Sequence, residues 1–159
     1  MLSIRPATVN DAALLRAMII ELADYEREAD SVEITESQLA RDGFGDHPKF
    51  KALIAEWDGA PAGYALYFDF YSTWRGHMLF LEDLFVRPQF RGKGIGIATM
   101  GEVARIAEQL GCRGMRWEVL AWNQPAIDLY RSLGAEFLDD WKLVFLDRPA
   151  QRKLGEKAA

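Results

Sequence analysis

Residues suited to binding an anion are concentrated in one short stretch, RPQFRGKGIG (87–96), which contains three glycines and three basic residues. It lies between an apolar run, MLFLEDLFV (78–86), and a helical pattern, IATMGEVARIAEQL (97–110). A glycine-rich turn that enters a helix exposes unpaired backbone N–H groups, and the helix dipole adds partial positive charge. The sequence therefore predicts a phosphate-binding turn. The alternative is a surface turn that needs glycine only for its backbone geometry.

Two common phosphate-binding motifs do not fit this turn. The Walker A motif requires Ser or Thr directly after its lysine, but Gly94 follows Lys93. The dinucleotide fingerprint G-x-G-x-x-G fails because Thr99 stands where its last glycine would be. The strands predicted before the turn are antiparallel, which also does not suit a dinucleotide-binding half-domain.

The cysteine and the histidines do not predict a metal site. His47 and His77 lie thirty residues apart, and neither has a cysteine close to it in the sequence. The single cysteine, Cys112, is expected to be a small buried side chain rather than a nucleophile. One cysteine excludes an internal disulfide and fits a reducing compartment, so we expect a cytoplasmic protein.

Composition and charge narrow the function classes. A chain of 159 residues is long enough for one well-buried core, and we expect one domain over 1–147 followed by a tail over 148–159 that is partly disordered. The formal net charge of −5 argues against nucleic-acid binding. No apolar run is long enough to span a bilayer, so no membrane partner is expected.

The periodicity of apolar residues predicts alternating helices and strands around this turn. Capping boxes at Thr8/Asp11 and Thr35/Gln38 mark two helix starts. The predicted elements are a strand at 2–7, a helix at 9–26, a short helix ending at 42–45, strands at 50–57, 62–72 and 77–86, a helix at 95–110, a strand at 114–120, a helix at 123–133 and a strand at 136–146. This order predicts a single α/β (α+β) domain with a mixed, mostly antiparallel central sheet flanked by helices.

A third anion-binding pattern does fit the turn. R/Q-x-x-G-x-G/A is present as Arg91-x-x-Gly94-x-Gly96, and it is the acetyl-coenzyme A recognition element of the GNAT superfamily of N-acetyltransferases. The segments LEDLFVRPQFRGKGIG, DGFGDHP, YSTWRG and WNQPAIDLYRSLGA also resemble the diamine (spermidine/spermine) N-acetyltransferases and the thialysine-acetylating enzymes. The resemblance extends from IRPAT to about Phe145 and implies the GNAT fold.

This resemblance implies transfer of an acetyl group from acetyl-CoA to an amine by direct attack in a ternary complex. The residues that it assigns to the cofactor are the strand segment Leu84, Phe85 and Val86, the loop residues Arg91, Gly92, Lys93, Gly94, Ile95, Gly96 and Ile97, and Asn123 at a helix start. The backbone of the strand segment would bind the cofactor while its side chains belong to the core. Asn123 is either a helix cap alone or a cap that also contacts the cofactor.

The resemblance also implies two proton-transferring groups. An alkylamine is mostly protonated at neutral pH, so a base must remove a proton before attack. Glu82 corresponds to the carboxylate on the substrate side, and Tyr130 corresponds to the general acid of the family. Glu82 and Asp83 are strand neighbours, and since such neighbours point to opposite faces we expect only one of them to line the cleft. A surface carboxylate pair and a packed tyrosine are the competing interpretations.

Further residues are candidates for holding a cationic acceptor, because carboxylates and aromatic faces suit ammonium groups. They are Tyr25, Glu26, Trp74, Glu82 and Asp83. YSTWRG and WNQ resemble the thialysine-acetylating branch, which implies a lysine-like acceptor over a long polyamine, and the resemblance also implies a homodimer. The alternatives are a protein lysine or N-terminal acetyltransferase, and an acetyl-CoA-binding regulatory module without turnover.

Overall fold

The fold is built on one five-stranded sheet. The computed structural model describes residues 1–158, and its strands are β1 (Leu2–Pro6), β2 (Lys51–Trp57), β3 (Ala60–Ser72), β4 (Gly76–Val86) and β5 (Met115–Arg116). Its helices are α1 (Ala12–Tyr25), α2 (Glu36–Phe44), α3 (Ile95–Gln109), α4 (Gln124–Ser132) and α5 (Arg148–Glu156). The strands lie in the order β1-β2-β3-β4-β5. The first four pair antiparallel and β5 pairs parallel with β4, which confirms the predicted mixed sheet.

The helix starts follow the predicted capping boxes. The Thr8 backbone N–H donates to Asp11 over 2.7 Å at the turn that leads into α1. At the start of α2, the Thr35 hydroxyl accepts from the backbone N–H of Gln38, and the Gln38 side chain accepts from the N–H of Thr35. These reciprocal bonds satisfy donors that a helix start otherwise leaves unpaired.

The main core lies between α1 and the central strands. Leu15 and Met18 of α1 are fully buried against Ile54 of β2 and Tyr64 of β3. These side chains recur at helical spacing on α1 and at alternate positions on the strands, so they form one face of each element. The core thereby fixes the carboxyl end of α1 beside β3 and β4. The opposite face of the central strands is also buried, with Ala55 and Ala62 packed against Ile95 of α3.

Strand β4 contains a β-bulge at its centre. Leu66 of β3 pairs with Asp83 and Tyr67 pairs with Leu81, so Glu82 is an extra residue without a partner of its own on β3. A bulge bends the strand and changes the direction of a side chain. The strict alternation that we expected for Glu82 and Asp83 is therefore broken.

Two predicted strands differ from the structure. The strand predicted at 114–120 is limited to β5, two residues long, and no strand forms over 136–146. A strand exists only where a neighbouring backbone supplies hydrogen bonds, and apolar alternation alone does not supply that neighbour. The apolar side chains of 141–146 are instead exposed.

The carboxyl-terminal tail also differs from its prediction. It was expected to be partly disordered, but α5 forms within it. The Asp147 carboxylate accepts a hydrogen bond from the backbone N–H of Ala150 at 2.8 Å, and Pro149 occupies the first turn. An acidic N-cap followed by proline is a favourable helix start, which explains the local order.

The polypeptide divides into two compact parts, Met1–Leu120 and the remainder from Ala121. The first contains the whole sheet with α1, α2 and α3, and the second contains α4 and α5. Within residues 1–158, none of the helices is both long enough and apolar enough to cross a lipid bilayer.

Candidate active site

The glycine loop adopts the left-handed backbone that its sequence predicts. Gly92 and Gly94 both have φ of 76°, and Gly94 is the N-cap of α3. A Cβ at either position would meet nothing within 4 Å, so both glycines are required by backbone conformation and not by space. The loop leads directly into a fifteen-residue helix, whose first N–H groups suit an anion.

Gly96 has no such explanation within the protein. It lies in the first turn of α3 without a positive φ, and a Cβ there would make only an ordinary contact of 3.6 Å with Val86. Neither the backbone nor the internal packing requires glycine at this position. Close approach of a ligand to the helix start would account for this glycine, so the loop fits a pyrophosphate.

The basic side chains of the loop are held by aromatic rings. The Arg91 guanidinium lies 4.7 Å from the centre of the Tyr25 ring, and the Lys93 ammonium lies 5.0 Å from that of Trp57. Arg91 also donates from Nε to the carbonyl of Val86 at 3.0 Å. These contacts keep positive charge next to the loop and tie it to both α1 and β4.

The end of β4 is open on one edge. Within residues 1–158, β5 pairs with β4 only at Leu79 and Phe80, so no ladder continues on that edge along 81–86. The backbone of Leu84, Phe85 and Val86 thus pairs with a strand on one side only, and the Val86 carbonyl also accepts from Arg91. Phe85 is 4% exposed, so its side chain belongs to the core while its main chain remains suited to a ligand.

Arg87 anchors the strand end beneath the loop. It forms a two-point ion pair with Glu21 of α1, with N···O distances of 2.7 and 2.9 Å, and donates to the carbonyl of Pro61 at 3.0 Å. Paired Arg–carboxylate hydrogen bonds fix orientation as well as distance. Arg87 therefore has a structural role, whereas Arg91 and Lys93 remain at the loop.

A cluster of acidic groups surrounds the centre of β4. The Tyr64 hydroxyl, on a side chain with no solvent exposure, donates to Asp83 Oδ2 at 2.7 Å. Burial raises the pKa of the Asp83 carboxyl, and the bond from Tyr64 counteracts part of that rise. Burial, assisted by the charge of Asp83, also raises the pKa of the Tyr64 phenol, so this hydroxyl remains a donor at all ordinary pH values.

Glu82 shares this environment. Its side chain keeps solvent access, but the protein around it reduces hydration and raises its pKa, and the charges of Asp83, Glu118 and Glu26 raise it further. Three carboxylates, Asp83, Glu118 and Glu26, oppose the ionisation of Glu82, so the surroundings of Glu82 are electronegative. A positively charged ligand would relieve that repulsion.

The end of α1 joins the two parts of this site. Glu26 follows the last residue of α1, and burial together with the charge of Asp83 raises its pKa. Tyr25, immediately before it, contacts Arg91 of the loop. The structure thus brings Tyr25 and Glu26 to Glu82, Asp83 and the loop, as a shared site requires.

Trp74 lies away from the acidic cluster. It lies in the turn between β3 and β4, 82% exposed, eight positions before Glu82. At about 3.4 Å per strand residue, the six steps from Gly76 to Glu82 span roughly 20 Å. The structure does not bring Trp74 to the acidic cluster of its own chain, and its role in acceptor binding stays a prediction.

Asn123 and Tyr130 belong to α4 in the second part of the chain. Asn123 occupies the N-cap position, and its carbonyl accepts from the Ile127 N–H at 3.0 Å, but its side chain makes no capping bond. Tyr130 is half-buried on the same helix. The interpretation of Asn123 as a side-chain cap is therefore not supported, and the functional roles of both residues stay predictions.

The comparisons with known proteins agree with this geometry. The family model described as Acetyltransferase (GNAT) family matches residues 15–135. The chain belongs to the GNAT family. A thialysine N-epsilon-acetyltransferase of Sus scrofa is 42% identical, with 97% of each chain covered. The human spermidine/spermine N(1)-acetyltransferase-like protein 1 is 37% identical over 91% of this chain, which spans 22% of that protein.

Among solved structures, an integron cassette protein from the mobile metagenome of V. cholerae superposes with a TM-score of 0.80 at 25% identity, covering 98% of each chain. The predicted fold class is confirmed. As a GNAT acetyltransferase the protein is an enzyme that uses acetyl-CoA as its acetyl donor. The open strand edge and the unexplained Gly96 are the features of this chain that fit the cofactor.

Two residues that act on the acidic cluster were not predicted from the sequence. Tyr64 could have been suspected as a phenol inside an otherwise apolar strand, AGYALYF, where a buried hydroxyl needs a partner. Glu118, which acts on Glu82 from beyond β5, gave no local signal. Its position depends on chain pairing that the sequence pattern does not encode.

Proposed function

We propose that this enzyme acetylates a primary amine of a small cationic acceptor, a lysine- or thialysine-like amino acid, with a polyamine as the second candidate. The observation that carries the proposal is the acidic cluster of Glu26, Glu82 and Asp83, whose members all have raised pKa values. Such a cluster favours a ligand that brings positive charge. The named activities of the relatives, on thialysine and on spermidine or spermine, support the same acceptor class.

The cofactor is proposed to bind along the loop and the open end of β4. Backbone N–H groups from Gly92 to Ile97 hold the pyrophosphate, with Arg91 and Lys93 adding positive charge. The backbone of Leu84 to Val86 holds the part of the cofactor near the thioester, whose acetyl group is the one transferred. In this proposal the anionic pyrophosphate of the donor lies at the basic loop after β4, and the cationic acceptor lies at the acidic cluster near the centre of β4.

Glu82 is proposed as the base that removes a proton from the acceptor ammonium. A carboxyl with a raised pKa is a better proton acceptor than an ordinary one, because its basicity lies closer to the working pH. Its position at the β-bulge keeps it apart from the ladder, and its solvent access allows transfer either directly or through one water. Glu26, Asp83 and Tyr25 hold the ammonium in place.

Tyr130 is proposed as the acid that returns a proton to the departing CoA thiolate. A phenol is a donor at neutral pH, as this role requires. Asn123, whose side chain makes no capping bond, is proposed to contact the cofactor. A packed tyrosine without a role in proton transfer remains the competing interpretation.

The enzyme is proposed to form a homodimer through the segment 141–146. Leu143, Val144 and Phe145 are 78%, 86% and 85% exposed, and Trp141 beside them is 68% exposed. Contiguous exposed apolar surface of this kind usually marks an interaction site. A second copy is the occupant proposed, and the single cysteine suits a reducing compartment such as the cytoplasm.

CoA release measured against a panel of acceptors tests the acceptor class. The panel contains thialysine, lysine, putrescine, spermidine and short lysine peptides. We expect the highest kcat/KM for thialysine or lysine and lower values for the peptides. If only the peptides are acetylated, the enzyme is a protein acetyltransferase; if no free amine releases CoA above background, the proposal is wrong.

Light scattering over a range of protein concentrations tests the dimer. We expect Val144→Asp to shift the mass towards the monomer, since it places a charge within the proposed interface. Val9→Asp, at another exposed valine, serves as the matched control. A wild-type enzyme that is monomeric at all concentrations would exclude the dimer.

A further inference from the structure

Three side chains with metal-binding atoms meet at the end of the sheet away from the loop. They are Asp69 of β3, His77 of β4 and Cys112, which follows α3. One ligand atom of each lies within 4.8 Å of the other two. None has a role in the acetyl-transfer site, and from His77 to Val86 the strand extends over roughly 30 Å.

No sequence pattern predicts this cluster. Asp69 and His77 lie on opposite arms of the β3–β4 hairpin, and Cys112 is thirty-five residues beyond His77. Hydrogen bonding fixes the junction, because the Arg113 N–H donates to the carbonyl of His77 at 2.8 Å. Cys112 is also half-buried rather than fully buried, which corrects the expectation of an ordinary core cysteine.

We propose that Asp69, His77 and Cys112 form a zinc-binding site. Thiolate, imidazole and carboxylate are the three donor types that zinc takes in proteins, and a three-residue site leaves one position for water. A thiolate and a carboxylate carry two negative charges, which match the charge of the ion. The site would connect β3, β4 and the segment after α3, so binding would stabilise the fold.

The distances between donor atoms are close to those that zinc needs. The imidazole Nε2 lies 2.6 Å from Asp69 Oδ1, and the Cys112 sulfur lies 3.8 Å from either ring nitrogen. In tetrahedral coordination with the usual bond lengths, neighbouring donors are separated by roughly 3.4–3.6 Å. The histidine–aspartate pair must therefore open by less than 1 Å, and the sulfur must approach by a few tenths of an ångström.

The accessibility of the cluster permits ion entry. The side chains of His77 and Asp69 are 40% and 50% exposed. Cys112 lines a surface cavity of about 400 Å³ together with Glu108, Gly111 and Arg113. An ion can reach all three donors from solvent without opening the core.

A catalytic cysteine is the other function that Cys, His and Asp suggest. Such a nucleophile needs a stabilised thiolate. Here burial and the negative charge of Asp69 raise the pKa of the Cys112 thiol, against a smaller lowering influence of Lys51. The protein alone thus favours the thiol, whereas a bound cation would displace its proton.

Cobalt(II) absorption tests the site, because a thiolate–cobalt charge-transfer band requires Cys112. The enzyme is purified without a histidine tag, stripped with a chelator and titrated with cobalt and then zinc. We expect saturation at one ion per chain, with the band present in the wild type and in His47→Asn, and lost in Cys112→Ser and His77→Gln. Absence of the band in the wild type would overturn the proposal, as would its persistence in His77→Gln.

Alkylation of the single cysteine provides a second readout that does not depend on variant folding. We expect zinc to slow alkylation of Cys112 at least tenfold in the wild type and to raise the Tm by a few degrees. Asp69→Asn should reduce both effects. Equal alkylation rates with and without zinc in the wild type would show that the thiol is not a ligand.

Discussion

Tyr64 donates a 2.7 Å hydrogen bond to Asp83 from a side chain with no solvent exposure. The bond holds one carboxylate of the proposed acceptor site in place, and it is the contact that lowers the pKa of Asp83 against the effect of burial. It links the main core to the acidic cluster, so the packing of β3 positions a group on β4.

Replacing Tyr64 with phenylalanine should destabilise the enzyme and raise the pKa of Asp83 further. The bond favours the ionised carboxylate, so its contribution is present at pH values above the pKa of Asp83 and is lost as the pH falls through it. We expect a loss of about 2 kcal/mol in the free energy of unfolding at pH 7, and a smaller loss near pH 4. Urea unfolding at both pH values measures this difference.

Tyr71→Phe is the matched control for this change, because Tyr71 lies on the same strand and is 75% exposed. It should leave the free energy of unfolding within about 0.5 kcal/mol of the wild type. A pH-independent loss in Tyr64→Phe would mean that the contribution of the hydroxyl does not depend on the ionisation of Asp83.

Replacing Glu82 with glutamine should remove the base and lower kcat/KM by about a hundredfold. In the wild type, kcat/KM should fall as the pH drops through the raised pKa of Glu82, because the protonated carboxyl cannot accept a proton. Glu26→Gln removes one of the charges that raise this pKa, so the acidic limb should move to lower pH.

The pH profile of kcat/KM is the measurement, with Glu28→Gln as the control near the same helix end. Glu28 is exposed, whereas the carboxylates that raise the pKa of Glu82 are Asp83, Glu118 and Glu26. If the acidic limb does not move in Glu26→Gln, the fall of kcat/KM at low pH is not caused by protonation of Glu82.

Alanine at the loop glycines should distinguish ligand binding from backbone conformation. Gly96→Ala should leave stability nearly unchanged, because its Cβ meets only Val86, and should weaken CoA binding about tenfold, or 1.4 kcal/mol. Gly94→Ala should cost roughly 1–2 kcal/mol in stability, since its φ is positive. Thermal unfolding and calorimetric titration with CoA provide the two readouts.

Gly101→Ala, farther along α3, completes the comparison. Its Cβ would meet nothing within 4 Å, and alanine in a helix is favoured over glycine by about 0.5–1 kcal/mol. It should stabilise the enzyme and leave CoA affinity unchanged. Unchanged CoA affinity in Gly96→Ala would show that the cofactor does not approach the start of α3 as closely as proposed.

Replacing Tyr130 with phenylalanine should lower kcat by roughly a hundredfold while CoA affinity changes little. The ring and its packing on α4 are retained, and only the proton donor is lost. Steady-state kinetics and calorimetric titration with CoA separate these effects. A kcat equal to that of the wild type would assign Tyr130 to packing alone.

Local features of the sequence predicted most of the fold. The capping residues Thr8 and Thr35 lie at the predicted helix starts, and the Asp58–Gly59 turn of the β2–β3 hairpin has positive φ at both residues. These features depend on residues close together in the chain. The loop was predicted for the same reason, since its glycines and cations are contiguous.

Features that depend on distant residues were not predictable. The bulge at Glu82 arises from the register of two strands, and no residue type in the sequence predicts it. The approach of Cys112 to His77 follows from the return of the chain after α3 to the edge of β4. The apolar residues of 141–146 were predicted to form a strand because a sequence pattern shows which residues are apolar. It does not show which neighbouring backbone or surface they pair with.

The bulge has a consequence for changes in chain length. Side chains before Glu82 and after it are out of phase by one position, so deleting this residue would join the two halves of β4 into one regular ladder. Every residue beyond the deletion would then keep its present partner on β3, and Phe85 would stay in the core that it now fills. The extra residue is therefore not needed to continue the ladder, and a protein shortened by this one glutamate should keep its fold while losing its proposed base.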